Sequence, residues 1–225
     1  MIFKPNNFLI IIPVVFIFVL LLPGKSFAGY SLIPEINFYY SGTSGINDVL
    51  SKKYEAYMKS AGYEYGIIDY DDNAKGGEIK LSLLDLSSPV NYAWFLKYRL
   101  ALFESKQDFY KLESDYLNGA APIKDSEEVA WHQIGIGSGI SGKIFSDTTF
   151  LEFSWIFSCE MMAGNGFEAV WGLGAEMKVK QYLLSNLYLN FGPGVTWLFG
   201  DANGSNYYLL AGIGYEFSFD NKQQK

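Results

Sequence analysis

The second half of the chain alternates apolar and polar side chains with a period of two. After Thr149 the odd-numbered residues are apolar and the even-numbered ones are mostly polar. The apolar ones are Leu151, Phe153, Trp155 and Phe157, and the polar ones are Glu152, Ser154 and Ser158. The alternation returns in residues 169–180, 187–197 and 209–219. Because successive side chains of a strand point to opposite faces, this period predicts strands with one apolar face. Gly-x-Gly pairs at 172/174, 192/194 and 212/214 recur every 20 residues, which predicts neighbouring strands of one sheet.

Four earlier strands bring the predicted total to eight. They are predicted at Tyr30–Tyr40, Glu78–Ser87, Tyr92–Glu104 and Glu127–Lys143. Between the first two, apolar residues from Ile46 to Ala61 are spaced for one helical face, with Asn47 to cap and Gly62 to terminate. This pattern predicts one short amphipathic helix in an otherwise all-β chain.

The connections between the predicted strands differ at the two ends of the sheet. Those after strands one, three, five and seven form the longer set: Ser41–Gly77, Ser105–Ser126, Met161–Gly166 and Gly200–Asn206. The intervening connections are short, at Ser87–Asn91, Ile144–Thr148 and Tyr182–Asn186. Long extracellular loops and short periplasmic turns are typical of outer-membrane barrels. We therefore predict an eight-stranded antiparallel transmembrane up-and-down β-barrel over residues 29–219, with the helix in the first extracellular loop and a polar tail at 220–225.

Residues 1–28 have the pattern of a cleaved secretory signal peptide. Lys4 precedes an apolar run, Phe8–Leu22, and small residues follow at Ser26 and Ala28. The run has 15 residues, and a helix needs about 20 to cross a bilayer core. Export followed by cleavage is favoured over a membrane anchor, and the predicted location is the bacterial outer membrane.

The end of the last predicted strand resembles the assembly signal of a known class. Gly214-Tyr215-Glu216-Phe217-Ser218-Phe219 is similar to the closing segment of small eight-stranded bacterial outer-membrane barrels, such as the outer membrane protein A type. Gly214, Tyr215, Phe217 and Phe219 carry the resemblance, and the polar tail after them departs from it. The resemblance implies insertion by the barrel-assembly machinery with periplasmic chaperones, and contact with outer-membrane lipid and lipopolysaccharide. It identifies no subfamily.

The two faces of the predicted strands have opposite chemistry. The outward face carries Trp94, Tyr98, Phe153, Trp155, Trp171, Phe191 and Trp197, a composition suited to lipid. The inward face carries a predicted charge cluster: Glu35, Lys80, Lys97, Arg99, Glu152, Glu168, Glu176, Lys178 and Glu216. Because unpaired charges are costly in a poorly hydrated interior, we expect ion pairs across the lumen. Eight strands enclose a space that side chains can fill, with room from the inward glycines, so a plugged barrel is favoured over a pore.

Composition and candidate chemistry narrow the function classes. The chain has 17 Lys plus Arg against 24 Asp plus Glu, a net charge of −7, so no nucleic-acid partner is predicted.

His132 is the single histidine and is favoured as a headgroup-level residue over a catalytic base. The segment Asp69–Glu78 begins like a calcium loop, but it lacks Gly at the sixth position and has Lys80 at the twelfth, where a ligating Glu is required, so a solvated extracellular loop is favoured. Cys159 is on the lipid-facing side of its strand and is interpreted as a small apolar residue. From these three cases together we predict no catalytic residue, metal site or cofactor.

Three functions remain open. The favoured one is a non-enzymatic integral outer-membrane protein with a structural role or with loops that bind an unknown external ligand. A pore for small solutes or apolar ligands, with the Ile46–Ala61 helix as a lid, is the first alternative. A membrane enzyme acting on lipid A or phospholipid is the second. A soluble lipocalin-like barrel fits poorly, because lipocalins turn their apolar face inward.

Overall fold

The computed structural model describes residues 29–85 and 91–218. The predicted signal peptide, most of the Ser87–Asn91 connection, Phe219 and the polar tail lie outside these residues. Within them, no helix has the length and apolar content needed to cross a membrane.

Ten strands and two helices make up the described chain. The strands are β1 (Tyr30–Gly42), β2 (Tyr65–Tyr70), β3 (Asn73–Asp85), β4 (Asn91–Tyr110), β5 (Ile123–Lys143), β6 (Thr149–Gly164), β7 (Gly166–Tyr182), β8 (Leu187–Phe199), β9 (Gly204–Tyr215) and β10 (Phe217–Ser218). The helices are α1 (Asn47–Ala61), which follows a 3-10 turn at Ser44–Ile46, and α2 (Glu113–Leu117).

Eight of the strands close into an antiparallel barrel. Their order is β1-β3-β4-β5-β6-β7-β8-β9, and β9 pairs again with β1, from Glu35↔Gly214 to Ser41↔Tyr208. The remaining two strands extend this barrel: β10 continues the edge beside β1, and β2 pairs with the far end of β4. The predicted eight-stranded antiparallel barrel is therefore confirmed.

The barrel is apolar outside and polar inside. Along β6 the side chains of Phe153, Trp155 and Phe157 are exposed, while Glu152, Ser154 and Ser158 are buried. Trp94, Trp171, Trp197 and Phe191 also lie on the outside, each more than half exposed. A closed sheet with this distribution satisfies its backbone internally and offers its apolar side chains to lipid. This is the architecture of a bacterial outer-membrane barrel.

Two of the connections predicted to be long are short in the structure. β6 and β7 approach each other until only Asn165 separates them, so the expected loop at Met161–Gly166 is a tight turn. Gly166 has φ +108°, and an added Cβ would lie 2.3 Å from the Lys53 carbonyl oxygen of α1. Turn chemistry and helix packing together require glycine there. The connection after β8 is likewise short, residues 200–203.

The segment predicted as a loop after Glu104 is strand at both of its ends. β4 continues to Tyr110, and β5 begins at Ile123, so the connection is only residues 111–122. β5 pairs with β6 only from Ala130 onward. Three strand segments therefore project beyond the barrel wall: β2, residues 105–110 of β4 and residues 123–129 of β5. We call these three segments the outer sheet.

Helix α1 packs across one mouth of the barrel, which we call the helix end. It ends at Gly62, whose φ of +77° suits a glycine C-cap, as predicted. The expected cap by Asn47 is wrong, because Asn47 is already helical and the chain enters through the 3-10 turn. Ile46, Val49 and Leu50 are fully buried against barrel side chains that include Trp131 and Met162. An apolar layer therefore closes this mouth.

Candidate functional site

The barrel strands bury ten charged side chains between the two ends. None is more than 6% exposed. The acids are Glu35, Glu78, Glu152, Glu160 and Glu176, and the bases are Lys80, Lys97, Arg99, Lys178 and Lys180. Their formal charges sum to zero. We call these ten residues the lumen network.

One half of the lumen network surrounds Glu35 and Glu152. Lys178 Nζ lies 2.8 Å from Glu35 Oε2, and Lys180 Nζ lies 3.0 Å from Glu35 Oε1 and 2.5 Å from Glu152 Oε2. Lys80 Nζ lies 2.7 Å from Glu152 Oε1. The Tyr188 hydroxyl donates to Glu35 at 2.6 Å. Each carboxylate thus meets several donors, which offsets the cost of removing it from water.

The other half surrounds Glu78 and Glu176. Arg99 Nη2 lies 2.6 Å from Glu78 and 3.2 Å from Glu176, and Lys97 Nζ lies 2.6 Å from Glu176. The Arg99 guanidinium lies between two aromatic rings, 4.2 Å from the centroid of Tyr39 and 4.1 Å from that of Tyr208. Tyr208 also donates to Glu176 at 2.9 Å. Cation–π contacts therefore add to the ion pairs.

Two inward glycines make room for tyrosine rings. A Cβ at Gly194 would lie 2.3 Å from the ring of Tyr208, and one at Gly214 would lie 2.3 Å from the ring of Tyr188. The sequence interpretation assigned this space to long charged side chains, but at these two positions aromatic rings fill it. The glycines therefore stabilise the network indirectly, because they leave space for Tyr208 and Tyr188, which donate hydrogen bonds to Glu176 and Glu35.

The structure places the nine predicted charged residues in different parts of the lumen. Seven belong to the network: Glu35, Lys80, Lys97, Arg99, Glu152, Glu176 and Lys178. Glu168 and Glu216 are only half-buried, and no ion pair joins either to another described residue. Glu216 accepts a 3.0 Å hydrogen bond from Tyr182 at the end opposite α1.

Three network members were missed by the sequence interpretation. Glu78 shares its parity with Lys80, Lys180 with Lys178, and Glu160 with Glu152. The alternation of side chains along each strand would therefore have been enough to predict that all three face the lumen. Glu160 accepts hydrogen bonds from Trp131 Nε1 at 2.9 Å, from Ser158 at 2.8 Å and from Gln133.

The lumen contains a cavity at the end opposite α1. Its volume is about 610 Å³, and its lining mixes apolar side chains such as Ile33 and Leu84 with polar ones such as Asp147 and Glu216. Lys180 and Glu152 of the network form part of its lining. The cavity is therefore bounded on one side by paired charges.

Buried polar contacts hold α1 in the mouth at the helix end. Glu127 of β5 accepts hydrogen bonds from Lys53, from Tyr54 and from the backbone of Asn165. The Tyr54 hydroxyl also accepts a 2.8 Å hydrogen bond from Gln107. Burial lowers the pKa of Lys53, which the contact with Glu127 opposes. Burial and the bond to Glu127 raise the pKa of Tyr54, so its hydroxyl stays protonated at neutral pH.

No family model and no curated protein matches this chain. Similar solved structures include the outer membrane protein OprG from Pseudomonas aeruginosa, at 10% identity and TM-score 0.48, covering 85% of this chain and 97% of that one. Neisserial surface protein A matches at 14% identity and TM-score 0.42, covering 84% and 98%. Ail of Yersinia pestis, solved with the heparin analogue sucrose octasulfate, matches at 9% identity and TM-score 0.41, covering 84% and 99%. The barrel described above rests on the strand register of this chain itself.

Two of the candidate chemical residues lie on neighbouring strands: His132 pairs with Met161, and Cys159 pairs with Ile134. His132 is half-buried, and its Nδ1 lies 2.8 Å from the Tyr98 hydroxyl. Cys159 is half-buried and belongs to no disulfide in the described chain. No group of three or more His, Cys, Asp or Glu is placed to hold a metal ion in residues 29–85 and 91–218. Asp69 ends up in β2 and Glu78 in the lumen network, so the Asp69–Glu78 segment is not one loop.

The predicted assembly signal lies at the closing edge. Gly214 and Tyr215 end β9, and Phe217 pairs with Leu32 of β1. Tyr215 and Phe217 are exposed, with ring centroids 4.6 Å apart. Phe219 lies outside the described residues. The role of these residues in assembly stays a prediction.

Proposed function

We propose that this protein is a non-enzymatic integral outer-membrane barrel that anchors a binding surface at its helix end. Two features of the lumen support an anchor in preference to a pore. Nine of the ten network residues form ion pairs in the middle of the lumen, and α1 closes one mouth with apolar side chains. Eight strands leave a space that side chains can fill.

The observation that carries the proposal is an ordered, partly apolar surface beyond the barrel wall. Six or seven residues of each strand in the outer sheet project outward, about 20–23 Å at 3.3 Å per residue. The connection between β4 and β5 ends this sheet and exposes Leu112 and Leu117, the latter at 74%, beside the exposed Ile123 at the start of β5. Apolar side chains held in water on a rigid scaffold are typical of binding surfaces.

Aromatic stacking makes the same surface rigid. Tyr63 stacks on Phe109 with ring centroids 5.0 Å apart, and Tyr65 stacks on Tyr116 at 4.5 Å. Tyr57 of α1 lies 5.6 Å from Phe109 and so joins the helix to the sheet. Tyrosine gives large contact areas at low entropic cost, which suits protein recognition.

Accessibility in intact cells tests the proposal. In a Cys159→Ser background, we expect Leu117→Cys to react with a membrane-impermeant maleimide on intact cells. Asp147→Cys lies in the turn at the opposite end, between β5 and β6, and should react only after the outer membrane is permeabilised. Heat-modifiable gel mobility confirms that each variant is folded. Equal labelling at both positions in intact cells, or no labelling of Leu117→Cys, would contradict the proposed orientation.

A further inference from the structure

The outer sheet has a free edge along β2. β2 pairs with β4 on one side only, and no backbone hydrogen bond joins residues 65–70 to any other described residue on its second side. Unpaired N–H and C=O groups on such an edge are a template for an added strand.

The ladder shows which residues face the free side. Asp71 N–H donates to the Glu104 carbonyl at 2.9 Å, in register with the β2–β4 pairs. In an antiparallel ladder, hydrogen-bonded pairs alternate with pairs whose backbone groups point away. Gly66, Ile68 and Tyr70 therefore present their N–H and C=O groups to the free edge, and Ile67 and Asp69 bond to β4.

The other edge of the outer sheet is protected against pairing, and β2 is not. Residues 123–129 of β5 follow Pro122 and include Lys124, Asp125, Glu127 and Glu128. Proline and charged side chains are the usual protection of an edge strand. β2 reads Tyr-Gly-Ile-Ile-Asp-Tyr, with one charge and no proline. The contrast within one sheet singles out β2 as the edge available to a partner.

Charge indicates the kind of partner. The segment 63–74 carries Glu64, Asp69, Asp71 and Asp72 and no Lys or Arg. Residues 43–72 and 104–128, which form the helix end, together hold thirteen acidic and six basic side chains. A positively charged segment is therefore attracted to this edge and an acidic one repelled.

We propose that the free edge of β2 binds an extended, basic peptide segment of a partner protein, which adds to the outer sheet as a strand. Backbone hydrogen bonds to Gly66, Ile68 and Tyr70 give the affinity, and the four acidic side chains select positive charge. This inference rests on the proposed function only in requiring that the helix end face the cell exterior.

Binding is measured on the mature protein in detergent micelles with two fluorescent probes. The probes are hexapeptides of alternating Arg and Val, or of alternating Glu and Val. We expect the Arg-Val peptide to bind and the Glu-Val peptide not to bind. Bound Arg-Val peptide should slow hydrogen exchange at the amide of Ile68, whose N–H faces the free edge. The amide of Ile67 is already bonded to β4 and should not change.

Two variants with matched controls separate edge pairing from general attraction. Ile68→Pro removes a free-edge donor while keeping the β2–β4 ladder, and should weaken Arg-Val binding about tenfold. Asp69→Asn with Asp71→Asn should weaken it about threefold, whereas Asp147→Asn, in the turn at the opposite end of the barrel, should leave it unchanged.

Two results would overturn the inference. One is binding unaffected by Ile68→Pro in a protein with normal heat-modifiable mobility. The other is equal binding of both peptides. Neither result bears on the accessibility of Leu117→Cys, so failure here is distinguishable from failure of the proposed function.

Discussion

Removing Arg99 should destabilise the barrel more than removing any exposed charge. Arg99 is 2% exposed and reaches Glu78 with two nitrogens, Nη2 at 2.6 Å and Nε at 3.1 Å. Arg99→Met keeps an unbranched chain between Tyr39 and Tyr208 but removes the charge. Breaking a buried pair from one side costs about 3–5 kcal/mol, because the remaining charge stays buried without its partner. Lys97 still contacts Glu78 at 3.2 Å, which places the expected loss near the lower limit, about 3 kcal/mol.

Urea unfolding in detergent micelles, followed by tryptophan fluorescence, measures this loss as a shift in the extrapolated free energy of unfolding. A second variant, Arg99→Met with Glu78→Gln, removes both charges and should recover at least about half of the loss. The matched control is Lys143→Met, which breaks a pair with Asp147 whose side chains are 59% and 93% exposed. We expect a change within about 1 kcal/mol for this exposed pair.

The reasoning would be refuted if Arg99→Met cost less than about 1 kcal/mol. That result would mean that water screens the network as it screens the exposed Lys143–Asp147 pair. A double variant no more stable than Arg99→Met alone would also count against the ion-pair explanation, since it would assign the loss to packing.

The remaining predictions concern packing and side-chain direction. Gly194→Ala should destabilise the barrel by about 1–3 kcal/mol because its methyl group would overlap the Tyr208 ring, whereas Gly142→Ala meets no atom within 4 Å and should be neutral in the same unfolding assay. Spin labels at Trp155 and Glu176 should differ, with the first accessible to oxygen from the bilayer and the second shielded. Equal accessibility would contradict the assignment of the two faces.

Strand parity explains why most of the barrel was predictable from the sequence. Glu152 and Trp155 differ in parity, and that difference alone assigns one to the lumen and the other to lipid. The same rule covers Glu78 and Lys180, which the sequence interpretation omitted. Period two reports the direction of a side chain but not its depth along the barrel. The sequence alone therefore could not show that Glu168 and Glu216 lie outside the network, because their depth depends on how the strands are paired.

The helix end was harder to predict because its contacts join distant parts of the chain. A charged residue such as Lys53 on an amphipathic helix is expected to face solvent. In the structure it is buried against Glu127, which is 74 positions away in the sequence. Nor does the sequence between Glu104 and Glu127 alternate strongly enough to show that β4 and β5 continue past the wall. Turn glycines at 164 and 166 fit either a loop or a tight turn, and packing against α1 decides between them.

Single-channel recording in planar bilayers tests the central claim that the lumen is sealed. The unmodified mature protein should show small or rare openings, because ion pairs fill the middle of the lumen and apolar side chains pack across one mouth. The folding of the protein can be checked by the same heat-modifiable mobility used for the variants. Large, steady conductance steps from the unmodified protein would contradict the account and favour a pore.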